Sequence, residues 1–104
     1  MYAILATITP KAGSLQKVTD LVKVIGKYAE DHEPECVEFR LCMEVDPEGI
    51  EAIHTIEKFN TLSGLRTHQT TPALADFYKI TADQDLLEKE TVVRIVKGVY
   101  GYHV

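Results

Sequence analysis

Cys36-Val37-Glu38-Phe39-Arg40-Leu41-Cys42-Met43-Glu44-Val45 decides the fold, because its apolar and polar residues alternate with a period of two. Val37, Phe39, Leu41, Met43 and Val45 fall on one side, and Cys36, Glu38, Arg40, Cys42 and Glu44 on the other. That is the pattern of a half-buried strand. Asp46-Pro47-Glu48-Gly49 has the composition of a turn, so about Glu51 to Asn60 is expected to return as the second arm of a hairpin.

Reading outward, Tyr2 to Thr9 is apolar and rich in β-branched residues, and Pro10-Lys11-Ala12-Gly13 ends it. Ser14 is a candidate N-cap for a helix in which Leu15, Val18, Val22, Ile25 and Ala29 recur at helical spacing. The helix is expected to fray at Asp31-His32-Glu33-Pro34, since the residue before a proline is pushed out of the helical region. Beyond the hairpin, Thr61 or Ser63 opens a short helical turn through His68. Thr71-Pro72 starts a further helix, with proline where no hydrogen bond is lost. Asp83 to Lys89 reads as one more helical turn, and Thr91 to Tyr100 as the last strand. The order β-α-β-β-α-β is the ferredoxin-like α+β plan: a four-stranded antiparallel sheet in a single domain, 1–104, with its helices on one face.

The first and last strands are apolar on both sides. Tyr2, Ile4, Ala6 and Ile8 alternate with Ala3, Leu5 and Thr7; Val92 and Val96 alternate with Val93, Ile95 and Val99. An uncovered sheet face of this kind is an exposed apolar patch that soluble monomers rarely tolerate. A homodimer packed through the helix-free sheet face is therefore expected.

Composition narrows the function. The chain has a formal charge of -5 with scattered Lys and Arg, so no basic stripe awaits a nucleic acid. No apolar run approaches the ~20 residues of a membrane span. The opening residues lack the pattern of a signal peptide, and a cytoplasmic location is the expectation. Cys36 and Cys42 lie roughly 20 Å apart along one strand, too far for a disulfide, and read as small buried hydrophobes.

The strand order, together with Glu57-x-Phe59, Leu65-x-x-His68, Thr71-Pro72 and Phe77, resembles the antibiotic biosynthesis monooxygenase (ABM) domain family of the dimeric α/β-barrel group. Pro10-Lys11-Ala12-Gly13 is similar to the family's opening. Glu33-Pro34-Glu35-Cys36-Val37-Glu38-Phe39 stands where its Glu-x-Gly-Cys-x-x-Tyr/Phe motif lies, with Glu35 in place of glycine. The resemblance covers nearly the whole chain and rests on order and spacing, no single motif being diagnostic. It implies a dimer whose sheets form a barrel, with a small pocket between sheet and helices in each protomer. Family members include cofactor-free monooxygenases of phenolic polycycles, haem-degrading enzymes and isomerases. The haem-degrading branch pairs an Asn in the first strand with a Trp and a His ligand. This chain has no Trp, no Asn in residues 2–9, and Tyr78 at the position of the haem-binding His.

His68 is the first candidate: a neutral imidazole could accept a phenolic or enolic proton, or it could fix the helix corner by bonding backbone or Glu57. Glu57 either orients His68 or bonds helix N–H groups, the latter being the commoner use of a carboxylate near helix starts. Phe39, Phe59 and Phe77 are core residues or pocket walls, and Tyr78 has a polar tip to reach a ligand. His54 lines either the dimer seam or the pocket. Arg94, among valines, needs a partner: Glu38 or Glu44 across a seam, or an anionic ligand. The histidines show no metal-ligand spacing, and no metal or other cofactor is expected. The aromatic tail Gly98-Val99-Tyr100-Gly101-Tyr102-His103-Val104 either frays or crosses to a partner.

The leading expectation is a cofactor-independent monooxygenase for a small hydrophobic, ionisable substrate and dioxygen. His68 acts as base, Tyr78 and Arg94 hold the oxyanion, and Phe39, His54, Glu57, Phe59 and Phe77 line the site. The alternatives are a small-molecule isomerase, or a non-catalytic dimeric ligand-binding or stress-response module.

Overall fold

A computed structural model describes residues 1–103; Val104, the end of the aromatic tail, lies outside them. Seven elements follow in order: β1 (Tyr2–Ile8), α1 (Leu15–His32), β2 (Cys36–Met43), β3 (Ile53–Phe59), α2 (Leu62–His68), α3 (Pro72–Asp83) and β4 (Val92–Lys97). The strands form one antiparallel sheet in the order β2-β3-β1-β4. This is the ferredoxin-like α+β arrangement, with the helical half of the final crossover split into α2 and α3 by Thr71-Pro72.

Alternation assigns the faces. Ile53, Thr55, Glu57 and Phe59 are buried under the helices, while His54, Ile56 and Lys58 point to the open face. Ile4 and Ala6 of β1 stand opposite Glu57 and Thr55 and share their side. Val18, Val22 and Ile25, spaced along one stripe of α1, close over Ile8, Ile53 and Phe77. A second cluster joins Ile4, Ala6 and Phe59 to Leu65 of α2. The two clusters leave a gap between them, and the site forms there.

Three local expectations are corrected. The register of β2 shifts between Cys36 and Glu38, so Val37 turns outward and is 57 % exposed, while Cys36 turns in against the second cluster. A bulge places two residues opposite one, which breaks a period of two wherever it falls. Val45 lies beyond the end of β2 and is exposed. Asp83 to Lys89 forms no further helical turn: Asp85 takes a φ of 52°, Leu86 is buried, and Leu87 bridges to Pro10. The Lys11 N–H donates to the Leu86 carbonyl at 2.8 Å, and the Lys11 ammonium pairs with Asp85, so pairing with the β1 exit replaces helix.

The helix starts behave as their residues require. Thr61 caps α2 by accepting from the Gly64 N–H at 3.0 Å, and Thr71 caps α3 by accepting from Leu74 at 3.4 Å. Ser14 stands at the N-cap of α1 without a side-chain cap bond. At the sheet edge β4 is exposed along its whole length. Val92 and Val96 are 44 % and 37 % exposed on the open face, beside Leu5 at 39 %. The tail leaves β4 where the Gly98 N–H donates to the Met1 carbonyl at 2.9 Å, and Tyr100 and Tyr102 lie in solvent. No helix among the described residues is long and apolar enough to cross a membrane.

Candidate functional site

β3 presents Thr55, Glu57 and Phe59 to the helices at successive inward positions, and α2 delivers His68 onto them. Leu65, one turn earlier and fully buried, pins that helix to the sheet. The Thr71 hydroxyl donates to the His68 carbonyl at 3.0 Å and fixes the α2–α3 corner. The imidazole is 1 % exposed and leans on Phe59, with ring centroids 5.3 Å apart.

Both ring nitrogens are occupied. Nδ1 lies 2.8 Å from Oε1 of Glu33, which sits at the C-cap of α1 where its own N–H closes onto the Ala29 carbonyl. Nε2 lies 2.8 Å from Oε1 of Glu57, a short charge contact without the alignment of a hydrogen bond. The Thr55 hydroxyl donates to the other Glu57 oxygen at 2.6 Å. Burial alone would push the imidazole down, but the two carboxylates, Glu57 more than Glu33, outweigh it and hold His68 above its ordinary value. The ring thus sits between two carboxyl groups, each 2.8 Å away, whose joint effect favours its protonated form. Among the described residues no lysine or arginine pairs with Glu33 or Glu57.

Beside the triad lies a cavity of about 280 Å³. Its apolar walls come from Ile4, Ala6, Ile8, Val22, Ile25, Phe39, Leu74, Phe77 and Val93, and its polar surface from Thr55, Glu57, His68, Gln69, Tyr78 and Thr91. Tyr78 packs edge-on to Phe77 and keeps 46 % of its surface exposed. Burial first, and then the Glu57 charge, pushes its phenol up, so it is a hydrogen-bond donor at neutral pH. Burial first, then Glu33 and more weakly Glu57, pushes the nearby Cys36 thiol up to about 11, which disfavours the reactive thiolate.

The cavity brings together five of the residues singled out in the sequence: Phe39, Glu57, His68, Phe77 and Tyr78. Three do not join them. Arg94 pairs in register with Leu5 while its neighbour Val93 lines the cavity, so Arg94 points to the open face and cannot hold an anion here. His54 is on that face too, within 3.1 Å of the Thr7 hydroxyl and 3.3 Å of Glu44. Phe59 is fully buried and supports His68 from behind without walling the cavity. Glu57 bonds no helix N–H; it contacts His68 and Thr55. Sequence reading missed Glu33, Thr55 and Gln69. Thr55 was the accessible one, two residues from Glu57 on a strand and so on the same face.

Fold and cavity together define a ferredoxin-like α+β domain with a ligand-sized chamber between sheet and helices. No protein-family model and no curated protein sequence matches the chain. Solved structures do. Rv0793 from Mycobacterium tuberculosis superposes with a TM-score of 0.84 at 15% identity, covering 98% of both chains. A Nitrosomonas europaea protein provisionally named an antibiotic biosynthesis monooxygenase superposes at 0.83 and 16% identity, covering 96% of this chain and 100% of the other. A structure named simply antibiotic biosynthesis monooxygenase gives 0.74 at 20% identity, with 96% and 100% covered. The fold of this chain is that of the ABM group, and identities this low speak to fold alone.

Proposed function

We propose that the chain is an ABM-type monooxygenase that deprotonates a small, largely apolar phenol or enol and lets the resulting anion react with dioxygen. One observation carries the reading: a buried Glu57–His68 pair, 2.8 Å apart, lines a cavity whose walls are mostly apolar. Because both His68 nitrogens are taken, Glu57 is the member that accepts the substrate proton. Tyr78 donates to the substrate oxygen, and Phe39 and Phe77 flank the ring.

The steps balance without another reductant. Glu57 takes the O–H proton, the substrate anion supplies electrons to dioxygen, and a carbon–oxygen bond forms at the activated carbon. The peroxide oxygen takes back the proton from Glu57; the O–O bond then breaks as the carbon loses its hydrogen, giving a quinone-type carbonyl and one water. The apolar walls supply desolvation, which raises the electron-donating power of the anion.

A second copy completes the assembly in this reading. Leu5, Val92 and Val96 form an exposed apolar strip on the open face, and a homodimer would bury it. The test is turnover of a panel of phenols and enols with and without oxygen, for wild type and Glu57→Gln. Oxygen-dependent turnover lost in the variant supports the monooxygenase. Equal conversion under anaerobic conditions would make the protein an isomerase using the same proton acceptor, and binding without conversion would make it a ligand-binding module.

A further inference from the structure

Glu33 is the member of the triad that the reaction above leaves without a task. Its side chain is 6% exposed; one oxygen meets His68 Nδ1 at 2.8 Å and the other has no protein partner. It does not line the cavity. Burying a second carboxylate beside an ion pair that is already matched is costly.

Following the charges through the proposed proton transfer gives that carboxylate a role. Before the transfer, the two carboxyl groups of Glu33 and Glu57 flank the imidazole at 2.8 Å each, beside a neutral ligand. Once Glu57 has taken the ligand's proton, Glu57 is neutral and the ligand carries the negative charge. At that moment His68 has lost one of the two carboxylates that hold its proton, and a buried imidazolium without a counter-charge reverts to neutral imidazole. We propose that Glu33 is a positioning residue that keeps His68 an imidazolium throughout turnover, so that a fixed positive charge faces the ligand anion after Glu57 is protonated. The inference rests on the reading of Glu57 as proton acceptor. It also explains how the cavity tolerates an anion although Arg94 points away from it.

The surroundings leave this task to Glu33. From α1 and its exit come Glu33 and Glu35, from β2 the neutral thiol of Cys36, and from β3 Thr55 and Glu57; Tyr78 comes from α3. Among the described residues no lysine or arginine lines the cavity, so apart from His68 no positive side chain on its walls faces an anion there.

The test is the charge of His68, read by nitrogen-15 NMR of the ring with 4-nitrophenol as the ligand, whose absorbance separately reports phenol and phenolate. In wild type both ring nitrogens stay protonated at neutral pH, free and bound, and bound 4-nitrophenol is enriched in phenolate. In Glu33→Gln the amide still offers an acceptor to Nδ1 but no charge. His68 is expected to lose its proton near neutrality in the complex, and the phenolate-to-phenol ratio to fall on the order of tenfold. A neutral His68 in wild type, or an imidazolium that persists in liganded Glu33→Gln, overturns the proposal. If wild type binds no 4-nitrophenol, the reading of the cavity fails. The pH at which His68 titrates in ligand-free Glu33→Gln, where Glu57 still holds the ring, then decides the role of Glu33: a midpoint no lower than in wild type overturns it. Should Glu33→Gln fail to fold, Glu33→Asp, which retracts the carboxylate by one methylene, must lower the pH at which His68 titrates. An unchanged midpoint overturns it equally.

Discussion

Nδ1 of His68 sits 2.8 Å from Oε1 of Glu33 across 35 residues of sequence, tying the C-terminal ends of α1 and α2 together through a buried ion pair. The contact is a fold element and an electrostatic setting at once. It ties the ends of two helices of the same layer, and together with Glu57 it favours the protonated form of the ring that lines the cavity.

Stability should therefore depend on pH in a defined direction. Burial acts to lower the imidazole from its ordinary 6.5, but Glu57 and Glu33 outweigh it, so the folded protein binds this proton more tightly than the unfolded chain. The stabilisation is complete below the ordinary histidine value and is lost as pH rises through the raised folded value. Urea midpoints should fall as pH climbs above about 6.5. His68→Gln should remove that part of the slope, and a midpoint that rises over this window would contradict the charged triad.

Glu57→Gln separates proton transfer from ligand binding. The amide keeps the shape of the side chain and can still meet the Thr55 hydroxyl, whose bond to Oε2 is 2.6 Å long. Loss of a general base typically lowers the rate about 10²–10⁴-fold. The expected signature is a fall in kcat of that order with KM little changed. A fall confined to KM would mean that Glu57 only holds the ligand.

Tyr78→Phe removes the one phenolic donor on the cavity surface and keeps the ring against Phe77. A single hydrogen bond to a developing anion is worth about 1.5–3 kcal/mol, which predicts a drop in kcat/KM of roughly 10- to 150-fold with unchanged thermal stability. Steady-state kinetics beside a melting curve checks both halves.

The open face makes a separable prediction. Leu5 is 39 % exposed at the centre of the helix-free strip, between Ile56 and Arg94 in register. Leu5→Glu should leave the helix-side core intact and convert a dimer to an 11.7 kDa species in sedimentation. If wild type already sediments as that species at micromolar concentration, the dimer is wrong and the strip needs another explanation.

The architecture was readable because it rests on local patterns. Phe39 and Leu41, two apart on β2, and the stripe Val18, Val22, Ile25 all pack against the core as their spacing requires, while Met43 at the strand end is exposed. Periodicity failed where a bulge intervened: Val37 and Cys36 exchanged sides because the β2 register slips between Cys36 and Glu38. It failed again at Asp83 to Lys89, where a residue with positive φ and a bridge to Pro10 replace the helix that composition suggested. In the site, Glu57 and His68 were legible from the motif that contains them. Glu33 stood in a motif as well, but its contact with His68 was not legible, since a glutamate before a proline reads as a helix end and no spacing announces a partner 35 residues away. Arg94 was assigned to the ligand on chemistry alone; its face is set by pairing with Leu5, a relation between two strands at opposite ends of the chain.

Gly26 and Phe39 give the sharpest test of how the cavity is walled. Gly26 lies inside α1, where glycine costs about 1 kcal/mol relative to alanine, so local propensity alone makes Gly26→Ala stabilising. A Cβ there would meet Phe39 Cδ1 at 2.8 Å and Cε1 at 2.9 Å, closer than packed carbon atoms allow. The ring must then swing, and since Phe39 walls the cavity, the swing changes its shape. Overpacking of this kind costs about 1–3 kcal/mol, which offsets or exceeds the helix gain. Gly26→Ala is therefore expected to be neutral to destabilising in urea unfolding and to weaken ligand binding. Phe39→Leu, which frees the space, should restore the stabilising effect of alanine in the double variant. Strict additivity of the two substitutions would show that ring and glycine are not coupled.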